Sequence, residues 1–188
     1  MTTPTEHVLT VDEFALTVDP PGTRTELIRG RVVCRPLPLT WSGALSFAIN
    51  SSLGEFATVH RLGMTPGSGG YLVSRDPDTV RAPDAAFLSE GRELTDGLSD
   101  EEYFEGAPDL AFEVVSPDDR DADVAEKVHD WLTAGSQRVW EVRPRTRTVT
   151  VHRADAPPRT LREGEDLMSD DAAFAVPGFS LAVSAIFE

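Results

Sequence analysis

The sequence predicts one α/β domain that spans residues 1–188. Its length is typical of a single domain and is sufficient to bury a hydrophobic core. Residues 110–115 form a short, nearly continuous apolar run bounded by Pro108 and Pro117. Such a run is typical of a strand that is covered on both faces in the middle of an α/β sheet. Amphipathic segments with helical spacing lie on both sides of it, and no repeat or linker divides the chain.

The N-terminal part predicts a short helix, a hairpin and a long helix. Thr10 and Glu13 have the spacing of a capping box, which predicts a helix to about Val18. Residues 26–33 predict a β-hairpin that turns at Arg29-Gly30. The longest helix is expected over residues 41–60, because its apolar residues recur at helical spacing; they are Leu45, Ile49, Leu53 and Phe56.

The middle of the chain is expected to form strands and one loop. The glycine-rich residues 63–73 predict a pair of strands, and residues 80–88 predict the next strand, which contains Pro83-Asp84. Residues 89–106 are acidic and rich in turn formers, which indicates a surface loop. The central apolar strand follows this loop.

The C-terminal part begins with a charged connection in which Asp123 is expected to cap a helix over residues 124–134. One face of that helix is apolar, and Gly135 suits its end. Its apolar residues are Val124, Val128, Trp131 and Leu132. Residues 138–142 and 148–152 predict two strands joined by a turn. Residues 157–170 predict a loop with an edge strand, and the tail from Pro177 should dock on the core.

Composition restricts the classes of partner and compartment. The formal net charge of -15 argues against a broad nucleic-acid-binding surface and predicts low affinity for DNA unless arginines cluster locally. It does not exclude a nuclease, because a metal site needs acidic ligands. The single cysteine, Cys34, is expected to be a half-buried hydrophobe and suits a reducing cytoplasm. No apolar run is long enough for a membrane span, and no signal peptide is recognisable.

Three side chains are candidates for chemistry. Glu113 lies inside the apolar central strand, where a carboxylate is costly unless it is paired or bound to a metal. Asp84 follows a proline and precedes another apolar strand. These two carboxylates and the backbone carbonyl of Val114 would supply the oxygen ligands that Mg²⁺ prefers. Lys127 is the only lysine among 17 basic residues and borders the buried face of its helix. Its ammonium would orient a water molecule or stabilise charge on a phosphate.

Each candidate also has a purely structural interpretation, which the residues alone leave open. Asp84 could cap the end of a strand. Glu113 could pair with an arginine of a neighbouring strand, such as Arg138. Lys127 could be a surface lysine whose stem covers apolar area while its ammonium reaches water.

Several short segments stand in the order found in one known family. They are Thr10-Val11-Asp12-Glu13-Phe14, Glu26-Leu27-Ile28-Arg29-Gly30, Pro83-Asp84, Ala107-Pro108-Asp109-Leu110, Glu113-Val114-Val115-Ser116-Pro117, Asp123-Val124 with Lys127, and Pro177-Gly178-Phe179. Through them nearly the whole chain resembles the Uma-type family of putative restriction endonucleases, which was long catalogued as a domain of unknown function. That family is part of the PD-(D/E)XK nuclease superfamily.

The resemblance implies a restriction-endonuclease-like αβββαβ core with a mixed central sheet flanked by helices, and bound Mg²⁺ or Mn²⁺. It makes Asp84 and Glu113 the metal carboxylates. The usual lysine position, two residues after Glu113, holds Val115 here, so the resemblance assigns the ammonium to Lys127. Glu26 is a further residue that could line the site.

The chain also departs from the family pattern. Residues 40–43 contain no histidine where the family often has one, and Arg29 replaces the acid that usually precedes the hairpin glycine. Both differences leave the metal pair intact, but they affect what can be inferred about the substrate and the activity.

The function expected from these observations is metal-dependent endonucleolytic hydrolysis of phosphodiester bonds, with DNA as the substrate and a metal-activated water as the nucleophile. The rival hypothesis is a non-catalytic nuclease-fold module for binding or assembly, which the acidic charge and the missing histidine favour. Hydrolysis of another phosphate ester is a third possibility. A homodimer is expected by analogy, because cutting both strands of a duplex usually needs two sites.

Overall fold

Four helices and thirteen strands form the parts of the chain that a computed structural model describes, which are residues 7–37, 40–92 and 103–188. The helices are α1 Val11–Ala15, α2 Thr40–His60, α3 Asp121–Thr133 and α4 Val183–Ile186. The strands are β1 Thr23–Ile28, β2 Arg31–Pro36, β3 Gly63–Met64, β4 Tyr71–Ser74, β5 Thr79–Arg81, β6 Ala85–Ser89, β7 Phe104–Glu105, β8 Leu110–Val114, β9 Arg138–Arg143, β10 Thr148–His152, β11 Arg159–Arg162, β12 Asp166–Met168 and β13 Ser180–Ala182. In this part of the chain, no helix has the length and apolar character needed to cross a bilayer.

A six-stranded mixed sheet contains the central strand, in the order β11-β10-β9-β8-β6-β3. Strand β8 pairs antiparallel with β6 and parallel with β9, and α3 connects the two parallel strands. Every residue of β8 is buried. Phe112 packs in a cluster with Ile49 of α2, whereas Ala111 packs in a second cluster with Trp131 of α3. The sheet is therefore covered by a helix on each face, which confirms the interpretation of the continuous apolar run.

A second, five-stranded sheet has the order β2-β1-β5-β4-β7. The β1–β2 hairpin turns at Arg29 and Gly30 as predicted, and both residues have positive φ angles, 49° and 74°. This is the combination that a type I′ hairpin turn requires. Leu27 packs with α1 on one face of β1, so Glu26, the preceding residue, lies on the opposite face.

Two strand predictions in the middle of the chain were wrong. Residues 63–73 do not form a strand pair, because β3 belongs to the six-stranded sheet and β4 to the five-stranded sheet. The strand predicted over residues 80–88 is also divided between the two sheets, as β5 and β6. The break falls at residues 82–84, where Pro83 has no N–H to donate to a sheet. Most of the loop predicted over residues 89–106 lies outside the described residues.

The predictions for helices α1 and α3 need correction at the helix ends. The Thr10–Glu13 capping box of α1 is confirmed, but the helix ends at Ala15. Helix α3 begins three residues earlier than predicted, so Asp123 lies in its first turn and does not cap it. An acidic side chain in the first turn is favoured by the helix dipole. The Asp123 carboxylate instead accepts hydrogen bonds from Arg120.

The C-terminal predictions hold in outline. Strands β9 and β10 form the expected hairpin, and β11 is the edge strand of the six-stranded sheet. The tail docks through Phe179 and Ile186, which are both buried. Cys34, by contrast, is exposed on edge strand β2. The expectation that it is half-buried was wrong.

Candidate active site

Asp84 lies between β5 and β6, where it joins the start of β6 to the end of β8. Its backbone N–H donates to the carbonyl of Phe112 at 3.0 Å, and its Oδ2 accepts the N–H of Val114 at 2.7 Å. Its Oδ1 accepts a hydrogen bond from Nη2 of Arg24 at 3.3 Å. Asp84 thus has the strand-end role that was one of its possible interpretations, and it also lies directly beside the Glu113 segment.

Glu113 projects from β8 towards α3 and is buried. Its Oε1 accepts the indole N–H of Trp131 at 2.9 Å, and its Oε2 accepts a hydrogen bond from Nζ of Lys127 at 2.9 Å. The alternative partner, Arg138, pairs instead with Asp170. Helical spacing explains the arrangement, because Lys127 and Trp131 are four residues apart and lie on the same face of α3. The interpretation of Trp131 as a core residue is confirmed, although its N–H also anchors the carboxylate.

Lys127 is not a surface lysine, because only 11% of its side chain is exposed. Its ammonium lies between Glu113 and Glu26, and the distance from Nζ to Oε1 of Glu26 is 3.4 Å. Lys127 therefore connects α3 to both sheets. This position agrees with the prediction that Lys127 borders the buried face of its helix.

Glu26 is the site residue whose position the sequence left open. It is fully buried, and its Oε2 accepts a hydrogen bond from Nη1 of Arg81 at 3.2 Å. Arg81 also donates to Asp130 of α3. The signal in the sequence was the placement of Glu26 next to Leu27 in a strand, where one residue faces the core and the other faces away. Its partners Arg81 and Lys127 are more than 50 residues distant in sequence, so these contacts could not be predicted from spacing.

Burial and neighbouring charges shift the pKa values of Glu113, Glu26 and Lys127. Burial raises the pKa of Glu113, Lys127 opposes this effect, and the negative charges of Asp84 and Glu26 support it, so the pKa is raised. Burial also opposes ionisation of Glu26, but Lys127 and Arg81 outweigh it and lower the pKa of that carboxyl. Burial would lower the pKa of Lys127, yet Glu113 and Glu26 raise it overall. Lys127 is consequently a cation at neutral pH. Its ammonium can donate hydrogen bonds but is not suited to accept a proton as a base.

A pocket of about 400 Å³ opens onto these groups. Its walls include Asp84, Glu113, Val114 and Lys127, whereas Glu26 is not among the residues that line it. A second pocket, of about 800 Å³, shares Arg24, Leu37 and Asp84 with the first. The two pockets therefore lie next to each other, with Asp84 in the wall of both.

The donor set fits a hard divalent cation. Within residues 7–37, 40–92 and 103–188, no group of three or more histidine, cysteine, aspartate or glutamate side chains is arranged to hold a metal ion. Mg²⁺, however, commonly takes one or two protein carboxylates and keeps several water ligands. Asp84, Glu113 and Val114 line the same pocket, and the two carboxylates are oxygen donors of this kind. Each carboxylate oxygen of the pair also accepts a hydrogen bond from the protein, so a metal would share these oxygens with existing donors.

Comparisons with known proteins place the chain in a family. The family model described as Uma2, putative restriction endonuclease, matches residues 11–184. The fold is similar to the crystal structure of a putative nuclease belonging to DUF820 from Anabaena variabilis, with a TM-score of 0.77 and 22% sequence identity over 95% of this chain and 97% of that chain. A search of curated proteins finds no match.

Proposed function

Because the chain belongs to the Uma2 family of putative restriction endonucleases, we propose that it is a metal-dependent endonuclease that hydrolyses phosphodiester bonds in DNA. The observation that carries the proposal is the convergence of Asp84, Glu113 and Lys127 on one pocket from a strand junction, a central strand and a helix. All three are charged groups with little exposed side-chain surface, and burying a charge is costly.

The carboxylates of Asp84 and Glu113, with the carbonyl of Val114, would hold Mg²⁺ or Mn²⁺. A metal bound there would polarise a phosphodiester and lower the pKa of a coordinated water. Trp131 and Lys127 fix the rotamer of Glu113 by donating to its two oxygens. The ammonium of Lys127 is held charged by two carboxylates, so its role is to stabilise negative charge on the phosphate or to orient the attacking water.

The first test is calorimetric titration of Mg²⁺ and Mn²⁺ into the wild type and into Asp84→Asn and Glu113→Gln. Both substitutions keep the shape of the side chain and one oxygen acceptor. The control is Asp118→Asn, which removes an exposed carboxylate from the wall of the same pocket. We expect metal binding to be lost in both site variants and retained in the control, with folding of each variant checked by circular dichroism.

Cleavage is tested with the same variants on plasmid DNA, single-stranded DNA and RNA. Metal-dependent cleavage that disappears in Asp84→Asn and Glu113→Gln, and persists in Asp118→Asn, would support the proposed function. Wild-type metal affinity in Glu113→Gln would contradict the assignment of the metal ligands. Cleavage of RNA alone would contradict DNA as the substrate.

A non-catalytic module for binding or assembly is the second candidate. The observation that favours it is that hydrogen bonds from Arg24, Val114, Lys127 and Trp131 already satisfy the oxygens of both carboxylates. If this candidate is correct, the site variants lose stability but no metal affinity, because the wild type has none. Calorimetric titration of the metal with and without a cleavage-resistant oligonucleotide therefore distinguishes the two functions.

We also propose that the active form is a homodimer, because cleavage of both strands of a duplex usually needs two sites. Sedimentation equilibrium with and without a DNA duplex tests this proposal. A monomer under both conditions would contradict it.

A further inference from the structure

Two arginines face each other across the β1–β2 hairpin. Arg24 of β1 pairs directly with Arg35 of β2 in the antiparallel register, so both side chains lie on the same face of the hairpin as Glu26. Directly opposed residues in such a pair have Cβ atoms about 4.5–5.5 Å apart, and like charges in this arrangement destabilise a sheet. The pair therefore needs negative partners.

The protein supplies these partners only in part. Arg24 has one hydrogen bond, to Asp84 at 3.3 Å. Nη1 of Arg35 lies 3.6 Å from Oδ2 of Asp123, and Nε of Arg35 lies 3.9 Å from Oε2 of Glu26. Both are ion-pair distances that are too long for good hydrogen bonds. The Nε atoms of Arg24 and Arg35 are both buried, and neither has a hydrogen-bond partner among the residues that the structure describes. Buried donors without an acceptor are rare in folded proteins, so the two arginines are not fully paired by the protein itself.

The two arginines lie at the candidate active site. Arg24 and Arg35 line the pocket that also contains Asp84, Glu113 and Lys127. A guanidinium presents its N–H groups in a planar fork that matches the oxygens of a phosphate, and two such groups side by side would bind one phosphate from two directions. Burial opposes the charge of Arg24, but the acids Asp84, Glu113 and Glu26 raise its pKa, so it remains a cation.

We propose that Arg24 and Arg35 form a phosphate-binding site beside the Asp84–Glu113 pair and that its occupant is a backbone phosphate of the nucleic-acid substrate. The inference rests on the proposed nuclease function for the identity of the occupant. It also explains how a chain with a net charge of -15 could hold a polyanion. Affinity would come from a few arginines concentrated in one pocket rather than from a broad basic face.

The experiment measures binding without metal and without cleavage. Fluorescence anisotropy of a labelled oligonucleotide, single-stranded and duplex, is recorded in EDTA over a series of salt concentrations for the wild type, Arg24→Gln and Arg35→Gln. The control is Arg145→Gln, which removes the same charge from the exposed β9–β10 turn. Each site variant is expected to weaken binding about tenfold. It should also reduce the slope of log K against log salt by about 0.7 for a single strand and about 0.9 for a duplex.

A second pair of measurements keeps the proposal testable if Arg24→Gln fails to fold. Arg35 lies on edge strand β2, and Arg35→Lys keeps its charge but loses the fork. We expect Arg35→Lys to restore the salt slope without restoring the full affinity. Inorganic phosphate should raise the melting temperature of the wild type and have a smaller effect on Arg35→Gln.

The outcomes separate this site from the proposed chemistry. Unchanged affinity and salt slope in both Gln variants would overturn the phosphate site, whatever the cleavage assays show. Protection by inorganic phosphate without any binding of oligonucleotide would keep the site and overturn the nucleic-acid occupant. Normal oligonucleotide binding that depends on both arginines, together with an absence of cleavage, would support the site and contradict only the proposed hydrolysis.

Discussion

Replacing Lys127 by methionine tests the buried charge network at its centre. The ammonium lies 2.9 Å from Oε2 of Glu113 and 3.4 Å from Oε1 of Glu26, and 11% of the Lys127 side chain is exposed. At an effective dielectric constant of 20, each of these attractions is worth roughly 5 kcal/mol. Returning the ammonium to water in the unfolded state offsets several kcal/mol of this sum. We therefore expect Lys127→Met to lower the free energy of unfolding at neutral pH by about 3–5 kcal/mol.

The loss should depend on pH, with a defined sign. Without the ammonium, the pKa values of Glu113 and Glu26 rise in the folded variant, because Lys127 lowers both in the wild type. A carboxyl whose folded pKa is raised favours the folded state as the pH falls through that pKa. The difference in stability between the variant and the wild type should consequently narrow in acid. Urea unfolding at neutral and at mildly acidic pH measures it.

A matched control and a double variant complete the test. Glu126→Gln removes a charge from the same helix, where Glu126 pairs with the exposed Arg29, and it should change stability by less than about 1 kcal/mol. Combining Lys127→Met with Glu113→Gln should cost less than the sum of the two single losses, because neither charge is then left alone. A loss of less than about 1 kcal/mol in Lys127→Met, independent of pH, would refute the reasoning.

Three further substitutions are expected to lower stability, each measured by urea or thermal unfolding. Asp109→Asn should cost about 2 kcal/mol near neutral pH. Burial opposes the charge of Asp109, but hydrogen bonds from three donors lower its pKa. The loss of stability should therefore disappear as the pH falls below the usual aspartate range. A stability difference that stays constant with pH would contradict this prediction. Gly63→Ala should lower the free energy of unfolding by more than about 1 kcal/mol. The reason is that φ is 139° at Gly63 and a new Cβ would collide with the carbonyl oxygen of Leu88. Wild-type stability in this variant would contradict this account. Trp131→Phe should lower the free energy of unfolding by about 1–3 kcal/mol, because it removes one hydrogen-bond donor from Glu113. If the stability losses of Trp131→Phe and Glu113→Gln were additive in the double variant, the hydrogen bond would contribute nothing.

The centre of the site could be predicted from the sequence because its signals are local. A carboxylate inside a continuous apolar run indicates a buried acid, and a solitary lysine at the border of an apolar helical face indicates a cation directed inward. The structure confirms both expectations, with Glu113 and Lys127 at hydrogen-bonding distance. The capping box of α1 and the Arg29-Gly30 turn were predictable for the same reason, since each depends on residues adjacent in sequence.

The division of the strands between the two sheets and the other contacts of the site depend on segments that are distant in the sequence. Residues 79–89 have one apolar pattern but contribute β5 and β6 to different sheets, and only the partners of each strand decide this division. Arg81 reaches Glu26 and Asp130 from the short strand β5, and no spacing in the sequence relates these three residues. The pairing of Arg24 with Arg35 follows from the hairpin register and was accessible in principle. Their shared position beside Asp84 depends on the second sheet packing against the first.

The charge balance of the site predicts how metal and substrate should cooperate. Arg24 lies beside Asp84, and Lys127 lies between Glu113 and Glu26, so the acids already have cationic partners. A divalent cation would add two positive charges to this arrangement, and a phosphate bound at Arg24 would offset part of them. Metal affinity should therefore be weak in the free protein and rise when an oligonucleotide is present, and by linkage the metal should strengthen oligonucleotide binding by the same factor. Calorimetric titration of Mg²⁺ with and without a cleavage-resistant oligonucleotide measures this coupling. Equal affinities under the two conditions would show that metal and phosphate do not share the site.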